Sequence, residues 1–142
     1  MRRLFQALLG IALCYAGFLH LTSRREEFQA QVPSWMPLNA DLVVVISGVI
    51  EISLGLALLT IWRFRQRVGL VTALFFVAIF PGNIWQYLDG IDAFGLDTDR
   101  ERAIRLLFQP FLVLWALWST DSLGLILRMK IGETRRKDES QE

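Results

Sequence analysis

Residues 41–62 read DLVVVISGVIEISLGLALLTIW. From Leu42 to Ile61 a run of apolar and small residues is broken only by two serines, one threonine and a single glutamate, Glu51. A helix that crosses about 30 Å of hydrocarbon needs roughly 20 such residues. At 1.5 Å per residue Glu51 then lies about 15 to 17 Å from either end, at the midplane of that span. A carboxylate there costs at least roughly 2.5 kcal/mol to insert, so it is expected to face other helices and to be paired, hydrogen-bonded or protonated.

Working outward, three further stretches approach the same length: 4–21, 68–88 and 104–127. With 54% hydrophobic residues and a mean hydropathy of +0.40, a chain of 142 residues is too apolar for a soluble domain of its size. The sequence predicts an all-α, four-helix integral membrane bundle over 1–127, followed by a charged cytoplasmic tail, 128–142.

Charge sets the orientation. Arg2, Arg3, Arg63, Arg65, Arg67, Arg128, Lys130, Arg135, Arg136 and Lys137 all fall at one side of the predicted spans. The two remaining loops hold Arg24 and Arg25, then Arg100, Arg102 and Arg105 among several acids. Positive residues gather on the cytoplasmic side, so both termini are expected there. The same topology accounts for the basic residues without nucleic acid. The N-terminal apolar stretch lacks an A-x-A-type cleavage site and is read as a retained first span.

The first outer loop, SRREEFQAQVPSWMPLN, carries Ser23 and Glu26 at capping-box spacing and Pro33 as a stop, which predicts a short interfacial helix. Pro81 and Gly82 predict a kink in span three. Span four is expected to run unbroken to Leu127.

Depth counting brings together one polar residue from each span: His20, Ser47, Asn83 and Gln109, in the outer leaflet about a turn above Glu51. Ser47, Gly48 and Gly55 share the Glu51 face, and Ala12, Ala16 and His20 with Gly10 and Gly17 form a small-residue stripe on span one, where the two helices can approach closely. Such a layer predicts a polar pocket open to the outer side, floored by Glu51. His20 and Glu51 are the candidate proton-handling, catalytic residues. Ser47, Asn83 and Gln109 are candidate ligand-binding residues, the amides suited to quinone carbonyls or an oxyanion, with Arg105 one turn above Gln109 as a further candidate. One His and one Cys give no haem or metal site, and Cys14 reads as a packing residue.

These residues carry a resemblance. AGFLHLTSRREEFQAQVPSWMP, SGVIEISLGLALL, VAIFPGNIW and RLLFQP, in that order from Ala16 to Pro110, resemble the DoxX-like family of small bacterial membrane proteins, whose pattern is loosely G-x-x-H-F, F-x-x-x-V-P-x-x-L-P, S-G-x-x-E-x-x-x-G-x-x-L-L, V-F-P-x-N and R-L-P-x-Q. The matching positions include His20, Phe28, Pro33, Pro37, Ser47, Glu51, Pro81, Asn83, Arg105 and Gln109. Leu21, Met36, Phe108 and Pro110 depart from the pattern at the outer mouth. The family is similar to the small membrane subunit of a thiosulfate:quinone oxidoreductase. The resemblance therefore implies an accessory subunit of a quinone-linked redox system, with a quinone as candidate cofactor and a membrane or soluble oxidoreductase subunit as partner. A non-catalytic scaffold or assembly factor, whose polar layer only joins the helices, is the alternative. A small-solute carrier fits less well, because there is no inverted repeat. Self-association is left open.

Overall fold

The computed structural model describes residues 1–129 except 94, 96 and 97; the predicted tail from Lys130 onward lies outside the described residues. Among these the chain is all-helical, without strands. It forms α1 (Arg2–Leu21), α2 (Arg25–Gln29), α3 (Ala40–Thr60), a 3-10 turn (Trp62–Phe64), α4 (Arg65–Leu88), α5 (Asp99–Ser119) and α6 (Ser122–Met129). Three stretches, Arg2–Leu21, Ala40–Thr60 and Trp62–Leu88, are long and apolar enough to cross a membrane, and α5 with α6 makes a fourth if the bent pair counts as one span.

α1 and α3 are the most extensively packed pair, α4 and α5 the next, while α3 and α4 touch over much less of their length. The α1–α3 contact is antiparallel and backbone-close. A Cβ on Gly17 would stand 2.5 Å from the Gly48 carbonyl oxygen, and one on Gly55 would stand 2.6 Å from the carbonyl oxygen of Gly10. Gly10, Cys14 and Gly17 thus form the α1 side of the seam. The Ala12–Ala16 stripe expected from the sequence lies beside it. Gln6, fully buried, donates to the Leu58 carbonyl oxygen at 2.8 Å and satisfies one of the last carbonyls of α3.

Leu9, Leu13, Leu58, Ala73, Phe76 and Ala116 make the apolar core. Many large hydrophobic side chains are exposed instead, among them Phe18, Ile46, Val49, Leu74, Val77, Leu107 and Leu114. The buried set includes Gln6, His20, Glu51, Thr72, Gln86, Arg102 and Gln109. Exposed apolar and buried polar side chains together invert the pattern of a soluble domain.

Helix ends follow local chemistry, in two places against expectation. α2 starts after Arg24 with no side-chain cap, so the Ser23–Glu26 capping box does not form; Arg24 pairs with Glu27 at 2.6 Å. The box appears at α5, where Thr98 and Glu101 cap each other reciprocally. Thr98→Ala is expected to lower thermal stability by about 1 kcal/mol, read by unfolding in detergent.

Span four does not continue to Leu127. α5 stops at Ser119 and α6 leaves at 82°. Thr120 Oγ1 donates to the Ala116 carbonyl oxygen and meets Ser122 Oγ at 2.6 Å, Ser122 donates to the Gln66 carbonyl oxygen at 2.7 Å, and Asp121 takes a positive φ of 64°. Hydroxyls in the run Ser119-Thr120-Asp121-Ser122 compete for the backbone and end the helix. α4 contains Pro81 without a break, as α5 contains Pro110.

Candidate functional site

The α1–α3 seam sets the site. Because Gly17 and Gly48 let the backbones touch, His20, one turn beyond Gly17, is carried against the middle of α3. A Cβ on Gly48 would stand 2.8 Å from His20 Cβ. His20 Nδ1 then lies 3.0 Å from Glu51 Oε2 and 2.9 Å from the Ala16 carbonyl oxygen. A carbonyl oxygen only accepts, so Nδ1 is the protonated ring nitrogen. Its hydrogen bond runs to Ala16, and Glu51 Oε2 approaches off that line with no hydrogen-bond partner of its own. Both side chains are buried, at 7% and 5% exposure. A buried acid beside a histidine, with an acceptor atom unused, is an arrangement that can hold or pass a proton.

A roof covers the pair. Phe28 stacks on the His20 ring with centroids 3.4 Å apart. Arg25 forms a bidentate ion pair with Asp41, and Gln29 adds a bond to the same carboxylate at 3.1 Å, so α2 is fastened to the start of α3. Asn39 caps α3 there, accepting from the Asp41 amide at 2.9 Å. Beyond α2 the Gln31 carbonyl rests on Gly82, where a Cβ would come within 2.5 Å of it. Pro33 is buried beneath this loop.

Two cavities meet at the pair. One, about 260 Å³, fills the loose seam between α3 and α4 under the loop, lined by Val44, Ser47, Pro33, Trp35, Met36 and Ile79 besides His20, Phe28 and Glu51. The other, about 580 Å³, lies among α1, α4 and α5 and reaches Arg24, Asn83, Arg105, Phe108 and Gln109. His20, Phe28, Gln31, Ile79 and Glu51 are common to both walls.

The polar residues expected as one layer are therefore divided. Ser47 joins His20 and Glu51 in the smaller chamber, while Asn83, Gln109 and Arg105 sit in the larger one. Asn83 Nδ2 donates to Gln109 Oε1 at 2.9 Å, and Gln109 Nε2 donates to the Phe76 carbonyl oxygen at 2.8 Å. Arg105 faces the Gln31 side-chain oxygen, in the amide orientation that satisfies both groups. Trp35 and Met36 line the smaller chamber, although Trp35 keeps 64% of its surface exposed.

Sequence reasoning missed Gln31 and Gln86, whose side-chain amides lie 3.1 Å apart between the roof and α4. It also missed that Phe28 touches His20. The available signal was Phe28, Gln29 and Gln31 close together in the segment between α1 and α3, over a polar floor. Among the described residues no group of three or more His, Cys, Asp or Glu side chains is placed to hold a metal ion.

A family model described as a domain of unknown function (DUF8561) matches residues 9–120. The chain belongs to that family. The match begins before Gly10 and ends at Thr120, so it takes in the α1–α3 glycine contacts, the roof and both chambers and finishes inside the polar stop after α5. No curated protein and no solved structure matches the chain.

Proposed function

We propose that the protein is a four-span integral membrane protein of a bacterial cytoplasmic membrane, with both termini cytoplasmic, that binds a small ring-bearing ligand of the quinone class as an accessory subunit of a membrane redox system. The observation that carries this reading is the His20–Glu51 pair, buried between two cavities inside helices whose large apolar side chains face outward. A buried ionisable pair at that depth is expensive to keep and marks a working site more often than a strut. The arginines at the Arg2, Arg63–Arg67 and Arg128 end support the orientation, and the motif resemblance to the DoxX-like family supports the class.

In this reading the apolar wall of the smaller chamber, with Val44, Pro33 and Met36, receives the ring. Ser47 offers a hydroxyl to a ring carbonyl, and Glu51 and His20 exchange the proton that accompanies its reduction. Asn83 and Gln109 each keep one N–H beyond the bond that joins them, which suits them to a ligand oxygen on the side where Arg105 supplies positive charge.

A scaffold reading also has a specific observation behind it: the Asn83–Gln109–Phe76 chain already ties α4 to α5 without any ligand. Native mass spectrometry separates the two. Glu51→Gln keeps the shape of the side chain and removes its charge. The redox reading expects the variant to lose a bound quinone while its melting temperature stays within a few degrees of wild type. An unchanged spectrum with a lowered melting temperature makes the polar layer structural.

A further inference from the structure

The end of the molecule opposite the chambers holds another cavity, separate from both. Phe5 of α1 and Phe111, Leu114, Trp115 and Trp118 of α5 line an almost wholly apolar groove of about 350 Å³. Its walls are fixed. Trp115 Nε1 donates to the Phe5 carbonyl oxygen at 3.0 Å, and Phe5 stands edge-on to Trp115 and Trp118, at 72° and 73°. From Phe111 to Trp118 the groove follows two turns of α5, about 10 Å along the helix.

Charge closes one end. Arg2, one turn before Phe5, pairs with Asp121, one turn past Trp118, at 2.7 Å. Arg2 remains half exposed. Arg3, Arg63, Arg65, Arg67 and Arg128 lie at the same end, and Asp121 is the one acid there among the described residues. α6 turns away at 82° just beyond, with Leu123, Leu127 and Met129 exposed beside Arg128. A helix with exposed leucines and an arginine, set across the others, suits the plane of a membrane surface.

We propose that this groove is a binding site for one anionic phospholipid of the inner leaflet, its acyl chain along Phe111–Trp118 and its phosphate at Arg2 and Arg3. This rests on the membrane reading but not on the quinone reading. The groove is too apolar to hold a polar solute, and it runs towards the midplane from an end crowded with guanidinium groups. An acyl chain attached to a negative headgroup satisfies both features.

The test is native mass spectrometry of the full-length, delipidated protein, with phosphatidylglycerol or phosphatidylcholine of identical chains added back. Wild type is expected to retain one phosphatidylglycerol roughly tenfold better than phosphatidylcholine. Leu114→Trp fills the groove from an exposed position, so the fold tolerates it, and it is expected to lose retention of both lipids. Arg2→Gln with Arg3→Gln is expected to keep chain binding and abolish the preference. Equal retention of the two lipids by wild type, or undiminished phosphatidylglycerol on Leu114→Trp, overturns the site while leaving the membrane reading intact. Recovery of the chain in the supernatant of a carbonate wash overturns the membrane reading and this site together.

Discussion

Gly17→Val is expected to destabilise the protein by about 3 kcal/mol or more, at the upper end for overpacking a close contact. The neighbour of the new side chain is backbone. A Cβ alone would stand 2.5 Å from the Gly48 carbonyl oxygen and 2.8 Å from Ile52 Cγ1, and no rotamer change moves a carbonyl within a helix. α1 must translate away from α3, which separates His20 from Glu51 as well. Denaturant unfolding in detergent measures the loss, and ligand retention should fall with it. Gly124→Ala is the control, since its Cβ would find nothing closer than 3.9 Å and alanine suits a helix better than glycine. A Gly17→Val protein as stable as wild type would mean that the α1–α3 seam is not backbone-close.

The second large effect is at the pair itself. His20→Ala leaves the buried Glu51 carboxyl without the imidazole beside it, and removing one partner of a buried pair costs about 3 to 5 kcal/mol. It also removes the ring on which Phe28 stacks. Glu51→Gln in the same background removes the stranded charge and should restore a large part of the stability. The double variant is therefore expected to be more stable than His20→Ala alone, a non-additivity that a double-mutant cycle reads directly. Strictly additive losses would show that the two side chains do not interact, whatever their 3.0 Å separation.

How much of this was legible beforehand depends on the range of the interaction concerned. The helical stretches were, because apolar runs of about 20 residues with charged ends need only composition to be recognised; 42–62 became Ala40–Thr60, and 68–88 became Arg65–Leu88. Glu51 was singled out as a carboxylate in an apolar run, and the pattern of small residues around it announced a close helix contact. The end of α5 was misread because hydropathy averages over the window. Leu123 to Leu127 kept the mean high across Ser119–Ser122, where three hydroxyls and Asp121 turn the chain. The Ser23 box failed because Arg24 and Glu27 pair instead, while Thr98, with the same spacing, was passed over.

Composition and periodicity by themselves determined that this chain is helical, that several of its helices are long and apolar enough to cross a membrane, and that Glu51 must face other helices. Those follow from the cost of exposing peptide groups or charge to an apolar medium, which each segment meets on its own. Only the tertiary structure decided which polar residues meet. His20 reaches Glu51 because Gly17 sits on Gly48, Phe28 reaches His20 because Arg25 is held by Asp41, and Asn83 joins Gln109 in a chamber apart from Ser47. Such neighbours are fixed by the register and rotation of one helix against another. A depth count along single helices supplies height but no azimuth, so it placed four residues in one layer that the packing then divided between two cavities.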